Sequence, residues 1–168
     1  TPLVFSNLAE RTFTFGDDVV LEYEVTGGTL VSGTVAYTFS GTDFSTEETF
    51  TGRLSPPANA GHYSLIATLP GDDYYHDATA VKRFFIVPKS MTGFTVGEIS
   101  PITYTGAAVT PAVSVHDGSI ELVSNRDFIV SCDNKNAGSQ LALITGKGNY
   151  QGQLTKSFQI TAKEITVE

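Results

Sequence analysis

Three short motifs occur twice in this chain, in one order and at nearly constant spacing. Asn59-Ala60-Gly61 returns 77 residues later as Asn136-Ala137-Gly138. Gly71-Asp72-Asp73-Tyr74-Tyr75 returns after 75 residues as Gly146-Lys147-Gly148-Asn149-Tyr150. Lys82-Arg83-Phe84-Phe85-Ile86 returns after 74 as Lys156-Ser157-Phe158-Gln159-Ile160. Self-similarity at a fixed period means that one structural unit is built more than once. A chain of 168 residues has room for two small domains of that kind. The short polar stretch Pro88-Lys89-Ser90 follows a strand pattern and marks the boundary, so the expected modules are 1–89 and 90–168.

Each module reads as β. Val19 to Thr26 alternates, with Val19, Leu21, Tyr23 and Val25 on one face and Glu22 and Glu24 on the other. Gly33 to Ser40 alternates with Val35, Tyr37 and Phe39 inward, and His62 to Leu69 with Tyr63, Leu65 and Ala67 inward. A period of two is the mark of a half-buried strand. Gly41 to Glu48 reads as a loop before a weak edge strand over 49–52. Ser55-Pro56-Pro57-Ala58-Asn59 reads as a rigid extended turn, because proline disfavours α conformation in the residue before it. The first module closes with a strand over 81–87. In the second, strands are expected over 102–104, 113–122, 127–132, 141–144 and 155–161. Asp117-Gly118 is the strongest hairpin signal, since Asp-Gly tolerates the positive φ angles of a type I′ turn. Eleven phenylalanines and seven tyrosines suit pleated surfaces, and sixteen glycines suit the turns between them. No window carries a sustained helical spacing. The fold class is all-β.

The second module, from Tyr104-Thr105-Gly106 through Thr145-Gly146-Lys147-Gly148-Asn149-Tyr150-Gln151-Gly152 to Phe158-Gln159-Ile160, resembles the bacterial immunoglobulin-like repeats of large surface proteins. Those repeats close with a Gly-x-Gly-Asn-Tyr-x-Gly turn and a Phe-x-Ile strand. The resemblance covers most of 101–161. The first module resembles the same superfamily more loosely, through Gly16, Asn59-Ala60-Gly61-His62-Tyr63 and Lys82-x-Phe84-x-Ile86. Cys132 stands where the family pattern has an aromatic residue, and Asp72-Asp73 replace its glycine and asparagine. The resemblance implies two tandem immunoglobulin-like β-sandwich domains from an adhesin or wall-associated protein, where such repeats form arrays.

Charge narrows the partners. Ten basic against eighteen acidic residues, net −8, argue against a protein that neutralises phosphates, so no nucleic acid is expected. One cysteine excludes an internal disulfide and any multi-cysteine zinc site. No apolar run approaches the ~20 residues of a spanning helix. Thr1-Pro2-Leu3-Val4 lacks the basic, apolar and small-residue succession of a signal peptide. His62, His76 and His116 fall on separate segments without metal-ligand spacing, and no serine stands in the strand–elbow–helix setting that sharpens a nucleophile. No helix follows Gly146-Lys147-Gly148, which therefore reads as a β-turn and not a phosphate cradle. The acidic pairs Asp17-Asp18, Glu47-Glu48 and Asp72-Asp73 with Asp77 offer hard oxygen ligands for calcium but lack Asp-x-Asp-x-Asp-Gly spacing. They read as solubilising turns. Tyr74-Tyr75-His76 is an aromatic cluster on a turn that could stack on a sugar or plug the end of a core. No catalytic, cofactor-binding or metal residue is assigned, no cofactor is expected, and the chain is not expected to be an enzyme.

Three further expectations concern single residues and the end of the sequence. Cys132 alternates in phase with Phe128 and Val130, which predicts a buried thiol. Lys82 and Lys156 share the phase of the inward Phe84 and Phe158; a lysine–asparagine isopeptide bond, as in some surface modules, is weighed against snorkelling to solvent, and snorkelling is expected. Ala162-Lys163-Glu164-Ile165-Thr166-Val167 resembles the hand-over at Pro88-Lys89-Ser90-Met91 and predicts the start of a further repeat. The reading is a monomeric, non-catalytic stalk or adhesion segment at a bacterial cell surface or wall, meeting an unknown protein or glycan. The alternative is a carbohydrate-binding accessory module of a secreted glycoside hydrolase.

Overall fold

A computed structural model of the chain describes residues 3–5, 10–21, 24–27, 33–74, 76–132 and 136–164. Among them there are strands and no helix, so the protein is all-β. The chain divides into two compact units, Thr1–Lys89 and Ser90–Glu168.

The first unit holds β1 (Val4–Phe5), β2 (Arg11–Thr14), β3 (Val25–Thr26), β4 (Ala36–Asp43), β5 (Thr49–Arg53), β6 (Gly61–Leu69) and β7 (Ala78–Val87). Five of these form one sheet in the order β2-β7-β6-β4-β5, with β2 parallel to β7 and the other pairs antiparallel. β1 and β3 form a separate antiparallel pair. The period-two pattern fixes which face is covered. On β6 Tyr63, Leu65, Ala67 and Leu69 are buried, and on β7 Ala80, Lys82, Phe84 and Ile86, while His62, Val81 and Arg83 face out. Leu3 and Phe5 share that core, with Val19, Leu21 and Val25 packed against it.

Two expected segments differ. The alternation predicts one strand over Val19 to Thr26, yet among its described residues only Val25–Thr26 is strand. The reason is local: Asp17 Oδ2 accepts the Thr14 amide and Val20 N–H donates to the Asp18 carbonyl, so a turn holds this backbone instead of a ladder. Tyr23 lies outside the described residues. In the other direction, β4 runs through Gly41 to Asp43, inside the expected loop. A side chain at Gly41 would strike the His62 carbonyl and the Tyr63 ring, so the glycine admits a neighbouring ring and does not end the strand.

β8 (Lys89–Ser90) lies at the division. The second unit holds β9 (Thr95–Val96), β10 (Ile102–Thr103), β11 (Val115–Asp117), β12 (Ile120–Glu121), β13 (Phe128–Ser131), β14 (Gly138–Gly146), β15 (Tyr150–Gln151) and β16 (Gln153–Thr161). One sheet has the order β10-β16-β14-β13, and another β12-β11-β9. The Asp117-Gly118 hairpin forms, with Asp117 opposite Ile120. Its central residues are therefore Gly118-Ser119. Gly118 has φ +60 and Ser119 is not positive, the signature of a II′ turn and not the expected I′.

Cross-strand pairs recur between the units. Gly61 faces Ile86, Tyr63 faces Phe84 and Leu65 faces Lys82; in the second unit Gly138 faces Ile160, Gln140 faces Phe158 and Ala142 faces Lys156. The parallel edge recurs too: Phe13 lies beside Ile86 and Thr14 beside Val87, as Ile102 lies beside Ile160 and Thr103 beside Thr161. Each edge is continued by one more bond, from Phe15 N–H to the Val87 carbonyl (2.9 Å) and from Tyr104 N–H to the Thr161 carbonyl (2.8 Å).

Candidate functional site

Tyr63 organises the end of the first unit where β6 begins. Its ring lies between Phe50 and Phe84, at centroid distances of 6.0 and 5.5 Å, and its hydroxyl donates to the carbonyls of Asn59 (2.9 Å) and Ala60 (3.3 Å). Gly61 is a glycine because a Cβ there would meet the Thr42 carbonyl and the Tyr63 hydroxyl. Burial holds the phenol far above its ordinary value of 10.0, the Asp43 charge pushes the same way, and Arg53 offsets part of it.

Asp43 is the buried acid beside this corner. Its Oδ1 accepts the amides of Ser45 (2.8 Å) and Thr46 (3.2 Å), and its Oδ2 accepts Asn59 Nδ2 (2.7 Å). These bonds hold the β4–β5 turn and tie it to the segment that leads into β6. Beside them opens a cleft of about 350 Å³, lined among others by Asp43, Glu48, Phe50, Arg53, Pro56 and Asn59. The Arg53 guanidinium sits over the Phe50 ring, 4.9 Å from its centroid, which fixes a cation on an aromatic wall. No part of this cleft was assigned from sequence. The available signal was Asp43-x-Ser45-Thr46, a side-chain-to-amide turn pattern, together with the repeated Asn59.

A second cleft, of about 250 Å³, lies on the outer face of the same sheet at His62, Ser64, Arg83 and Phe85. His62 stands edge-on to Phe44 (5.0 Å) and Phe85 (5.1 Å). His116 pairs across strands with Thr95 and Glu121, and His76 is exposed. Among the described residues no group of three His, Cys, Asp or Glu could hold a metal ion. The acidic turns use their carboxylates on backbone: Asp17 on Thr14, Asp72 on Tyr74 (2.9 Å) and Asp77 on Gly71 (2.8 Å). Tyr74 is exposed, and Tyr75 lies outside the described residues.

In the second unit the glycine turn is internally committed. The Gly146 amide donates to the Gly152 carbonyl, Lys147 N–H to Asp127 and Tyr150 N–H to Lys147, so these donors point at protein acceptors. A Cβ on Gly146 would lie 2.8 Å from Gln151 N and 2.9 Å from the sulfur of Met91, which is fully buried beneath it. Tyr150 is buried edge-on to Phe94 at 5.7 Å, and burial raises its phenol above the ordinary range. Asp127 is buried as well. Burial works to raise its carboxyl, but bonds from Arg126 and the Val123 amide outweigh it and hold the group below the ordinary value.

Three single-residue expectations can be placed. Lys82 does not snorkel: it is 3% exposed, on the inward phase of β7 between Ala80 and Phe84. The pleat places it on the inward face, opposite the fully buried Leu65. Lys156 is partly open and pairs with the exposed carboxylate of Glu98. Cys132 is half-buried instead of buried, at the end of β13, packed against the cluster of Ala142, Phe158 and Ile160. Residues 165–168, on which the expected further repeat depends, lie outside the described residues. No helix among the described residues is long and apolar enough to cross a membrane. No protein-family model matches the chain and no curated protein matches it, so function rests on the geometry above.

Proposed function

We propose that this chain is a non-catalytic stalk or adhesion segment of a bacterial cell-surface protein, built from two tandem immunoglobulin-like sandwiches and acting outside the cell as a monomer. The observation that carries the reading is the parallel pairing of an early strand with the last strand in each unit, β2 with β7 and β10 with β16. Opposite pulls on the two ends of such a unit drag parallel neighbours past each other. The ladder bonds are then loaded together in shear, whereas an antiparallel terminal pair would unzip one bond at a time. A unit whose task is to hold under tension needs the first arrangement.

Two further features support it. The order β2-β7-β6-β4-β5 with an early tyrosine on β6 bonded back to the preceding turn matches an immunoglobulin-type sheet with its tyrosine corner. In the second unit Gln140 Nε2 donates to the Asn136 carbonyl (2.9 Å), the same four-residue reach that Tyr63 makes to Asn59. The recurring registers supply the argument for tandem modules.

Single-molecule pulling on the full chain tests this. Two separate unfolding steps are expected, each lengthening the tether by roughly 250–280 Å, from ~3.6 Å per released residue less the folded span. The first unit should yield at the higher force, since its parallel register runs over four residue pairs against two. Tyr104→Pro removes one edge donor at an exposed position and should lower the force of one step only, with Tyr104→Ala as control. A single step, or yielding at the low forces of an unzipping hairpin, would sink the proposal.

A further inference from the structure

We infer that the cleft beside Asp43 is a saccharide site, one that accepts a neutral or amino hexopyranose and rejects a uronic acid. This goes beyond the stalk reading, which mechanical unfolding tests separately. The cleft of about 350 Å³ lies at the small end of ligand pockets, the size for one or two sugar rings. Its walls have the two kinds of surface a pyranose presents. Pro56 and Ala58 offer apolar surface to the C–H face of a ring, beside the Phe50 ring that Arg53 covers. Glu48, Arg53, Thr46 and Asn59 surround it with acceptors and donors for hydroxyls.

Placement of these groups is pre-arranged. Asp43 is locked by two amides and by Asn59, and in turn holds the Asn59 amide, so the floor does not reorganise when a ligand enters. Arg53 is held on Phe50, and neither its guanidinium nor the Glu48 carboxylate makes an ion pair among the described residues. A donor fork and an acceptor at one rim are what a vicinal diol bridges. Charge then selects the class. Two carboxylates against one guanidinium leave the cleft net negative, which repels a carboxylated sugar and tolerates an amine.

Amide-resolved NMR of the full chain, titrated with methyl glucoside, galactoside, mannoside, glucosaminide and glucuronide, decides it. Amide shifts confined to residues 43–59 are expected with at least one neutral or amino sugar and none with the glucuronide. Glu48→Gln and Arg53→Gln, both at exposed side chains, should each weaken binding about tenfold or more, the loss of one charge-assisted hydrogen bond, while the remaining amide spectrum stays native. Absence of shifts with every neutral and amino sugar overturns the inference, as do shifts centred elsewhere or variants that bind like the parent. Glucuronide bound as well as its neutral counterparts overturns the charge argument.

Discussion

Replacing Tyr63 with phenylalanine removes one oxygen and leaves the ring that fills the corner. At neutral pH the change deletes hydrogen bonds to the Asn59 and Ala60 carbonyls at a residue only 3% exposed. A buried bond of this kind contributes about 1–1.5 kcal/mol net, so the first unit should melt roughly 4–12 °C lower. Alkali reverses the comparison. The phenol's folded value is raised, so its contribution is fully present below the unfolded value of 10.0 and is lost as pH rises above it. At pH 11 ionisation favours the unfolded parent by up to about 1.4 kcal/mol, a penalty the phenylalanine chain escapes at this position. Parent and Tyr63→Phe stabilities should therefore converge near pH 11. The assay is urea unfolding at pH 7 and pH 11, followed by far-UV circular dichroism because the chain has no tryptophan. A stability gap of the same size at both pH values would refute the reasoning, and so would the absence of any gap at pH 7.

Gly146→Ala should destabilise the second unit by about 1–3 kcal/mol through overpacking on Gln151 and Met91, and Met91→Ala in the same chain should recover part of that loss; thermal melts of the single and double variants check both. Asp127→Asn should lower stability at pH 7 and make it less sensitive to acid. The carboxyl's folded value is depressed, so its contribution is present above the ordinary carboxylate value of 3.8 and disappears as pH falls below it; unfolding curves from pH 7 to pH 2 would show the flattening. Lys82 should resist amine acetylation in the folded chain while the exposed Lys147 and Lys163 react, read by peptide mass spectrometry; rapid native labelling of Lys82 would contradict its burial.

Alternation made the long strands legible. β6 and β16 carry the pattern residue by residue, and the sheet buries the face it indicates; β7 and β14 do not, since β7 buries Lys82 and exposes Val81 and the apolar run of β14 leaves Leu141 exposed. It misled over 19–26, where the side chains do alternate and Val19 and Leu21 do pack on the core, because backbone bonds around Asp17 and Asp18 take the place of a ladder. Periodicity reports what a side chain covers, and a ladder also needs a neighbour. The cleft was illegible for a different reason. Asp43 and Asn59 are sixteen residues apart, and a strand running through Gly41 brings them together. Glycine in sequence reads as punctuation; here it is the space that the Tyr63 ring occupies.

The two lysines show how one backbone plan carries different chemistry. Lys82 and Lys156 occupy matching registers, opposite Leu65 and Ala142. Phe39 lies on the other side of Leu65, and the β13–β14 register carried one residue past Ser131 and Leu143 brings Cys132 opposite Ala142. The layer beside the lysine is thus Phe and Leu in the first unit and Cys and Ala in the second. Larger neighbours bury Lys82, whereas Lys156 keeps a quarter of its side chain open and reaches the carboxylate of Glu98. The strand phase turns both lysines inward, and the size of the two residues beside each differs between the units. This is why the sequence phase, identical for both, could not tell them apart.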